Sequence, residues 1–383
     1  MKKVEEITSK YTSDTVDPNK KRPNVIAVIN EAFSDPQILG DIETNEDYMP
    51  FIHDLMKNGN CVSGTTYASI VGGQTANTEY EFLTGNSMAF LPKGTVAFQL
   101  YLRHAMPSLV TELKSEGYTG NSATHLQKAR NYNRDKAYPL LGFDKFYDYT
   151  NMIVPFVKMR NNATDQCTYD NITHDYEQQR KSTDAPYFGY TMTIQNHSSY
   201  DVPFDNFDDK RIVVENADAT DLGYYLSLIK YSDEMFENLI NYYKNTDEPT
   251  VIFLTGDHQP RIHDESMDSI TNGEWRNWND EEMMRRYEVP FLIWANYDID
   301  KKTVEKTSMN YLQTIGFQKF QQDLQKEIPV LTSNGYWGAD GKFYSVDDKN
   351  SPYYDLIQEY AMLQYNDMTD YKNRVEDFFE LKQ

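Results

Sequence analysis

The chain has 383 residues, enough for roughly two domains or one large domain with an appendage, and its 39% hydrophobic content with 30 Tyr and 19 Phe excludes a disordered polymer. Its formal net charge of -22 excludes the basic surface that nucleic-acid binding needs, and it repels anionic lipid surfaces within a Debye length. No apolar run approaches the roughly 18 residues of a membrane span, the opening MKKVEEITSKY is too polar for a signal peptide, and Cys61 and Cys167 form no CxxC pair, leaving at most one disulfide open.

In chain order, residues 1–22 are polar, end in NKKRP and read as a linker or arm. The run NVIAVI (24–29) is a continuous apolar strand of the kind covered on both faces. MPFIHDLMKNGN predicts a short helix stopped at Gly59, with His53 on its surface. PSLVTELKSEGYTG repeats that pattern and leads into a strand towards GNSATH. YFGYTMTIQNH predicts a further strand. In DLGYYLSLIKYSDEMFENLINYYKN, Leu222, Leu226, Ile229, Phe236 and Ile240 fall at helical spacing and predict a long amphipathic helix. TVIFLTGDH and EVPFLIWAN predict two more strands. Strands alternating with helices give an α/β fold over residues 23–300, a mainly parallel sheet sandwiched by helices. Residues 301–383 mix helix patterns with a turn at GADGKFY and predict a small C-terminal α+β subdomain.

Ligands in open α/β sheets bind beyond the carboxyl ends of the strands. That places Glu31, His197 and the pair Asp257–His258 where chemistry is expected. Alone, Glu31 also fits a solvated loop, and Asp257–His258 also fits a helix cap beside a surface histidine. Together, carboxylates and an imidazole suit a divalent ion such as zinc or manganese, one ligand short of four. Thr75, in GGQTANTEYEFLTG (72–85), is the candidate fourth. A threonine hydroxyl needs a metal or base to become a nucleophile, and a helix starting at ANTEYEF would present free N–H groups to a phosphate. By itself GGQT reads more simply as a plain loop-to-helix junction with Thr75 as N-cap. KARNYNRDK sets Lys128, Arg130, Arg134 and Lys136 within nine residues of an acidic chain. An arginine fork can hold phosphate with two hydrogen bonds, and Tyr132 can stack on a glycerol or sugar face. His197 can protonate a leaving alkoxide or touch a phosphate oxygen, and His125 is a weaker candidate of the same kind.

The series Glu31, GGQT, NRDKAYPLLGFDKFYD, NHSSY, TGDH and YEVPFLIWA resembles, in that order, the extracellular catalytic domain of the lipoteichoic acid synthase family, from about Asn24 to the end. The resemblance implies a sulfatase-like α/β domain of the alkaline phosphatase superfamily with a small C-terminal subdomain. It implies one divalent ion, usually Mn2+ with Mg2+ or Zn2+ as alternatives, held by Glu31, Thr75, Asp257 and His258. It implies that Thr75 is the nucleophile, taking glycerol phosphate from phosphatidylglycerol and passing it to a polyglycerolphosphate chain or a glycan. Arg134 and His197 fall at glycerophosphate-binding positions. Tyr132 replaces the family's tryptophan and Gln127 a frequent aspartate, departures that bear on head group and acceptor. The implied location is the outer face of a bacterial plasma membrane, with membrane contact through helices outside this chain. Two other classes share these residues: a phosphodiesterase or phosphoethanolamine-type transferase, and a non-catalytic envelope-binding module of the same fold.

Overall fold

The computed structural model describes residues 2–11, 21–312 and 318–379. Eight strands make the central sheet: β1 (Asn24–Asn30), β2 (Cys61–Tyr67), β3 (Thr119–Thr124), β4 (Lys145–Tyr147), β5 (Tyr187–Met192), β6 (Thr250–Gly256), β7 (Glu288–Ala295) and β8 (Lys302–Ser308). Their order is β8-β2-β7-β6-β1-β5-β3-β4. Neighbours run parallel except at β7, which is antiparallel to both β2 and β6.

The sequence of β1 explains its central place. Ile26 and Val28 point to one face and Ala27 and Ile29 to the other, so the strand is stable only where both faces are covered. The helices that cover them and complete the fold are α1 (Lys2–Thr8), α2 (Pro50–Asn58), α3 (Ala76–Thr84), α4 (Leu109–Ser115), α5 (Arg134–Leu140), α6 (Asp165–Arg180), α7 (Thr220–Lys244), α8 (Gln318–Glu327) and α9 (Tyr354–Met368). On the first face Ile52 of α2, Ile172 of α6 and Leu222, Leu226, Ile229, Phe236 and Ile240 of α7 pack on the sheet. The stripe expected on the long helix is therefore its buried side. On the second face Tyr80 and Leu83 of α3, Val110 of α4 and Tyr138 of α5 meet Tyr190, Phe253 and Phe291. Gly59 caps α2 as expected. The architecture is the mainly parallel, helix-sandwiched α/β fold that the sequence predicts.

Two expectations are corrected. The start of the supposed arm is helix α1, whose Val4 and Ile7 are buried against Phe320, Leu324, Tyr360 and Leu363, because an apolar pair one turn apart finds a partner surface; residues 12–20 lie outside the described residues. The main sheet runs on past the boundary expected at 301, because β8, wholly beyond it, pairs with β2 as the sheet's edge strand. Beyond it come α8, α9 and a small antiparallel sheet of β9 (Val330–Thr332), β10 (Gly335–Trp337) and β11 (Phe343–Tyr344). The open question of a disulfide closes too: Cys61 in β2 and Cys167 in α6 are both buried free thiols.

Candidate active site

Because every sheet strand but β7 points the same way, the segments after β1, β2, β3, β5 and β6 emerge at one end of the sheet. Glu31 follows β1 directly, and Asp257 and His258 follow β6; all three are buried. Gly256 lets the two loops touch, since a Cβ there would lie 1.7 Å from the Phe33 carbonyl oxygen. The contact is fixed by the Ala32 amide, which donates to Asp257 Oδ1 at 2.6 Å, and by the Asp257 amide, which donates to the Asn30 carbonyl at 3.2 Å, while the Glu31 amide donates to Thr193 Oγ1, after β5, at 3.1 Å. His258 Nε2 lies 3.1 Å from Asp257 Oδ2 and 3.7 Å from Glu31 Oε1.

The electrostatics of this cluster are unbalanced. Burial drives the Glu31 carboxyl well above its ordinary pKa, and the adjacent Asp257 adds to the rise. Burial raises Asp257 as well, with His258 pulling it back. Asp257 Oδ2 and His258 Nε2 are buried without a hydrogen-bond partner among the described residues. His258 Nδ1–H donates to the Gln259 carbonyl at 2.8 Å, which leaves the Nε2 lone pair facing the carboxylates. Two crowded carboxylates and an imidazole lone pair, each with an atom within 4.8 Å of the others, fit a divalent cation in both charge and donor type.

Thr75 stands at the N-cap position of α3, yet its side chain caps nothing. Its hydroxyl donates to Glu31 Oε2 at 3.5 Å and also bears on Asp257. The turn before it runs through Gly72 and Gly73 at positive φ and then Gln74, a non-glycine at φ 63. Gly72 is required there, because a Cβ would sit 2.8 Å from Arg261 Cβ. Thr78 Oγ1 donates to the Asp257 carbonyl at 2.7 Å and ties α3 to the loop after β6.

Arg134 opens α5 and is 1% exposed. Burial alone would lower its pKa; the Glu79 carboxylate outweighs burial, and the guanidinium stays charged. Nε donates to Glu79 Oε1 at 2.9 Å, Nη2 donates to the same oxygen, and Nη1 donates to the Asn131 carbonyl at 3.3 Å. The arginine fork expected to clamp phosphate is thus occupied along one edge by Glu79, and the charge acts from behind the site. Tyr132 lies against it, with Arg134 Cζ 5.3 Å from the ring centroid. His125 is buried and held well below its ordinary pKa by burial and by the charges of Arg134 and His197, with Nδ1–H donating to the Met192 carbonyl at 2.9 Å. His197 is exposed, its Nδ1–H donating to the Ser198 carbonyl at 2.8 Å. The structure brings Glu31, Thr75, Asp257 and His258 together; Arg134 acts electrostatically on both Glu31 and His125, Tyr132 lies against Arg134, and His197 is felt at His125. Lys128, Arg130 and Lys136 stay on the surface.

Sequence reading passed over Glu79. It is fully buried and receives Arg134 together with the hydroxyls of Tyr138 and Tyr190. The signal was present: Glu79 stands four residues after Thr75, on the same face of one helix.

A mainly parallel α/β sheet thus carries a carboxylate–imidazole cluster and a lone hydroxyl at its strand ends. The chain belongs to the Sulfatase family, whose model matches residues 23–316. A relative from Rhizobium meliloti, provisionally named a cyclic beta-1,2-glucan modification protein, is 30% identical over 91% of this chain and 51% of its own length. The lipoteichoic acid synthase of Staphylococcus saprophyticus is 27% identical over 66% of this chain and 40% of its own. The chain thus spans about half or less of these two relatives. The phosphoglycerol transferase GacH of Streptococcus pyogenes, solved with sn-glycerol-1-phosphate, superposes with a TM-score of 0.69 at 18% identity, covering 100% of this chain and 94% of that one. At that identity the likeness is one of fold.

Proposed function

We propose that this chain is the catalytic domain of a phosphoglycerol transferase that takes glycerol phosphate from phosphatidylglycerol and gives it to a polyglycerolphosphate chain or a glycan, through a phosphothreonine at Thr75. The observation that carries the reading is the Thr75 hydroxyl: buried, free of any capping bond, and aimed at Glu31 beside the orphaned Asp257 Oδ2 and His258 Nε2. The names of the relatives and of the superposed transferase support the class of group moved and, through the glucan relative, a glycan acceptor.

Glu31, Asp257, His258 and Thr75 would hold one divalent ion, manganese by family resemblance. Such an ion lowers the pKa of a hydroxyl and neutralises phosphoryl charge. Thr75 Oγ1 attacks the donor phosphorus; the Oγ1–P bond forms as the bond from phosphorus to the diacylglycerol oxygen breaks. The threonine proton leaves along the hydrogen bond to Glu31 Oε2, and His197 protonates the departing oxygen. In the second half the acceptor hydroxyl attacks the same phosphorus, the Oγ1–P bond breaks, His197 takes the acceptor proton and Thr75 regains its own. Arg134, held by Glu79, supplies fixed positive charge beside both steps. His125 and Tyr132 line the head-group side. The site belongs, on this reading, on the outer face of a bacterial membrane.

Intact mass spectrometry after incubation with phosphatidylglycerol and manganese tests the proposal. A glycerophosphate adduct that maps to Thr75 and is discharged by an acceptor supports it. An unmodified Thr75 under turnover overturns it, and discharge to water alone converts it to a phosphodiesterase.

A further inference from the structure

The segment 148–157 leaves the carboxyl end of β4 on the same end of the sheet as Thr75. It is firmly anchored. Met152 and Val154 pack on Leu126, the residue after His125, and on Ile194, three residues before His197. The Tyr149 amide donates to the Gln127 carbonyl, the Ile153 amide to Asn171 Oδ1 at 2.9 Å, and the Thr164 amide to the Val157 carbonyl at 3.0 Å. The alternate side chains are held outwards. Of the eleven large apolar side chains exposed among the described residues, four fall in this stretch: Tyr149, Ile153, Phe156 at 48% and Val157 at 54%. An ordered loop that keeps phenylalanine and valine in water marks a contact surface.

The charge next to it is the reverse of the chain's own. Lys128 and Arg130, on the loop after β3 that Tyr149 touches, and Lys158, directly after Val157, are exposed. Arg130 has only a 3.9 Å pairing with Asp135, and neither lysine has an ion-pair partner among the described residues. Over 128–158 six basic residues stand against three acids, Asp135, Asp144 and Asp148, and the loop carrying Asp205 and Asp208 meets this stretch at Arg160, whose amide donates to Asn206 Oδ1 at 3.1 Å, so the acids border the basic rim on that side. Charges act over about 8 Å at physiological salt, so a local basic patch can bind although the whole chain is acidic.

We propose that this rim is a membrane-contact surface: Phe156 and Val157 enter the head-group region of a phosphatidylglycerol-rich bilayer while Lys128, Arg130 and Lys158 meet lipid phosphates. Apolar tips flanked by cations are what an anionic interface recognises. The inference rests on the reading of the donor as a diacyl lipid, and it tells how a water-facing domain reaches a head group that stays in its bilayer. The contact lies within this chain, in addition to any anchor outside it.

The test is co-sedimentation of the chain with vesicles of phosphatidylglycerol and phosphatidylcholine, or of phosphatidylcholine alone, beside adduct formation from bilayer and from soluble dihexanoyl phosphatidylglycerol. Wild type is expected to bind the anionic vesicles, and F156D/V157D and K128E/R130E to bind at least tenfold more weakly. Both variants should modify Thr75 at the wild-type rate from the soluble donor and at least tenfold more slowly from the bilayer. Absence of wild-type binding to anionic vesicles, or equal binding by the variants, overturns the surface. Intact vesicle binding with no adduct from either donor overturns the transfer reading and leaves the surface standing.

Discussion

Thr75 and Glu79 lie one turn apart on the buried helix α3, the first offering its hydroxyl to Glu31 and the second receiving the guanidinium of Arg134. One helix thereby sets both the proposed nucleophile and the positive charge beside it. The helix is buried along its whole length, polar residues included, so its position is fixed by bonds to its neighbours and not by solvent.

The role of Thr75 separates from its place in the fold. Thr75→Ala removes no capping bond, so its cost in stability is expected below about 1 kcal/mol, less than loss of a working N-cap. Adduct formation and turnover should both vanish. Denaturant titration beside a labelled-lipid assay checks the pair of outcomes; near-normal turnover contradicts the assignment.

Removing Glu79 has the opposite profile. Glu79→Ala strands a buried guanidinium and the hydroxyls of Tyr138 and Tyr190, a change expected to cost about 3–5 kcal/mol. A second substitution, Arg134→Met, removes the stranded charge and should restore part of that loss. A double-mutant cycle by urea unfolding reads the coupling; additive single costs would show that the ion pair is not what holds Arg134.

Two buried carboxylates whose pKa values are both raised should welcome a cation. Added manganese is expected to raise the thermal midpoint, by the equivalent of about 2.7 kcal/mol when the ion is at one hundred times its Kd. Glu31→Gln and Asp257→Asn should abolish the shift while leaving the metal-free protein folded. Differential scanning calorimetry with and without chelator decides, and an identical midpoint in every state removes the metal assignment.

His53, expected on the surface, is half-buried between two acids. Nδ1 lies 3.0 Å from Asp47 and Nε2 3.6 Å from Asp35, and the Asp35 hydrogen bond, opposed by burial and helped by Asp47, raises its pKa to about 9. A raised folded value means that folding favours the protonated ring. The contribution is complete below the ordinary 6.5 and is lost as pH climbs through about 9. His53→Gln should therefore lower the midpoint more at pH 6 than at pH 10. The difference will be smaller than the shift alone implies, because solvent screens a partly exposed pair. Equal losses at both pH values would assign the effect to packing.

How far the sequence reached depends on the range of each signal. The strands of the sheet core were legible because runs such as NVIAVI and TVIFLTG are too apolar to sit anywhere but between two layers. Glu31, Asp257 and His258 were legible because they end such runs. The reversal of β7 was not, since a buried strand reads the same in either direction. The burial of Val4 and Ile7 depends on a surface more than 300 residues away. The occupied edge of Arg134 followed from a glutamate whose helical spacing from Thr75 was visible but whose partner was not.

Gly256 acts as a spacer of minimum length. With the Phe33 carbonyl pressed against its α-carbon, even a methyl group would force the loops after β1 and β6 apart, and Glu31 and Asp257 with them. The gap between the two acids is set by a residue that has no side chain to offer the proposed ion. On the proposed reading, drift at that position would weaken ion affinity with Glu31, Thr75, Asp257 and His258 all unchanged, a kind of inactivation that inspection of those four residues alone would miss.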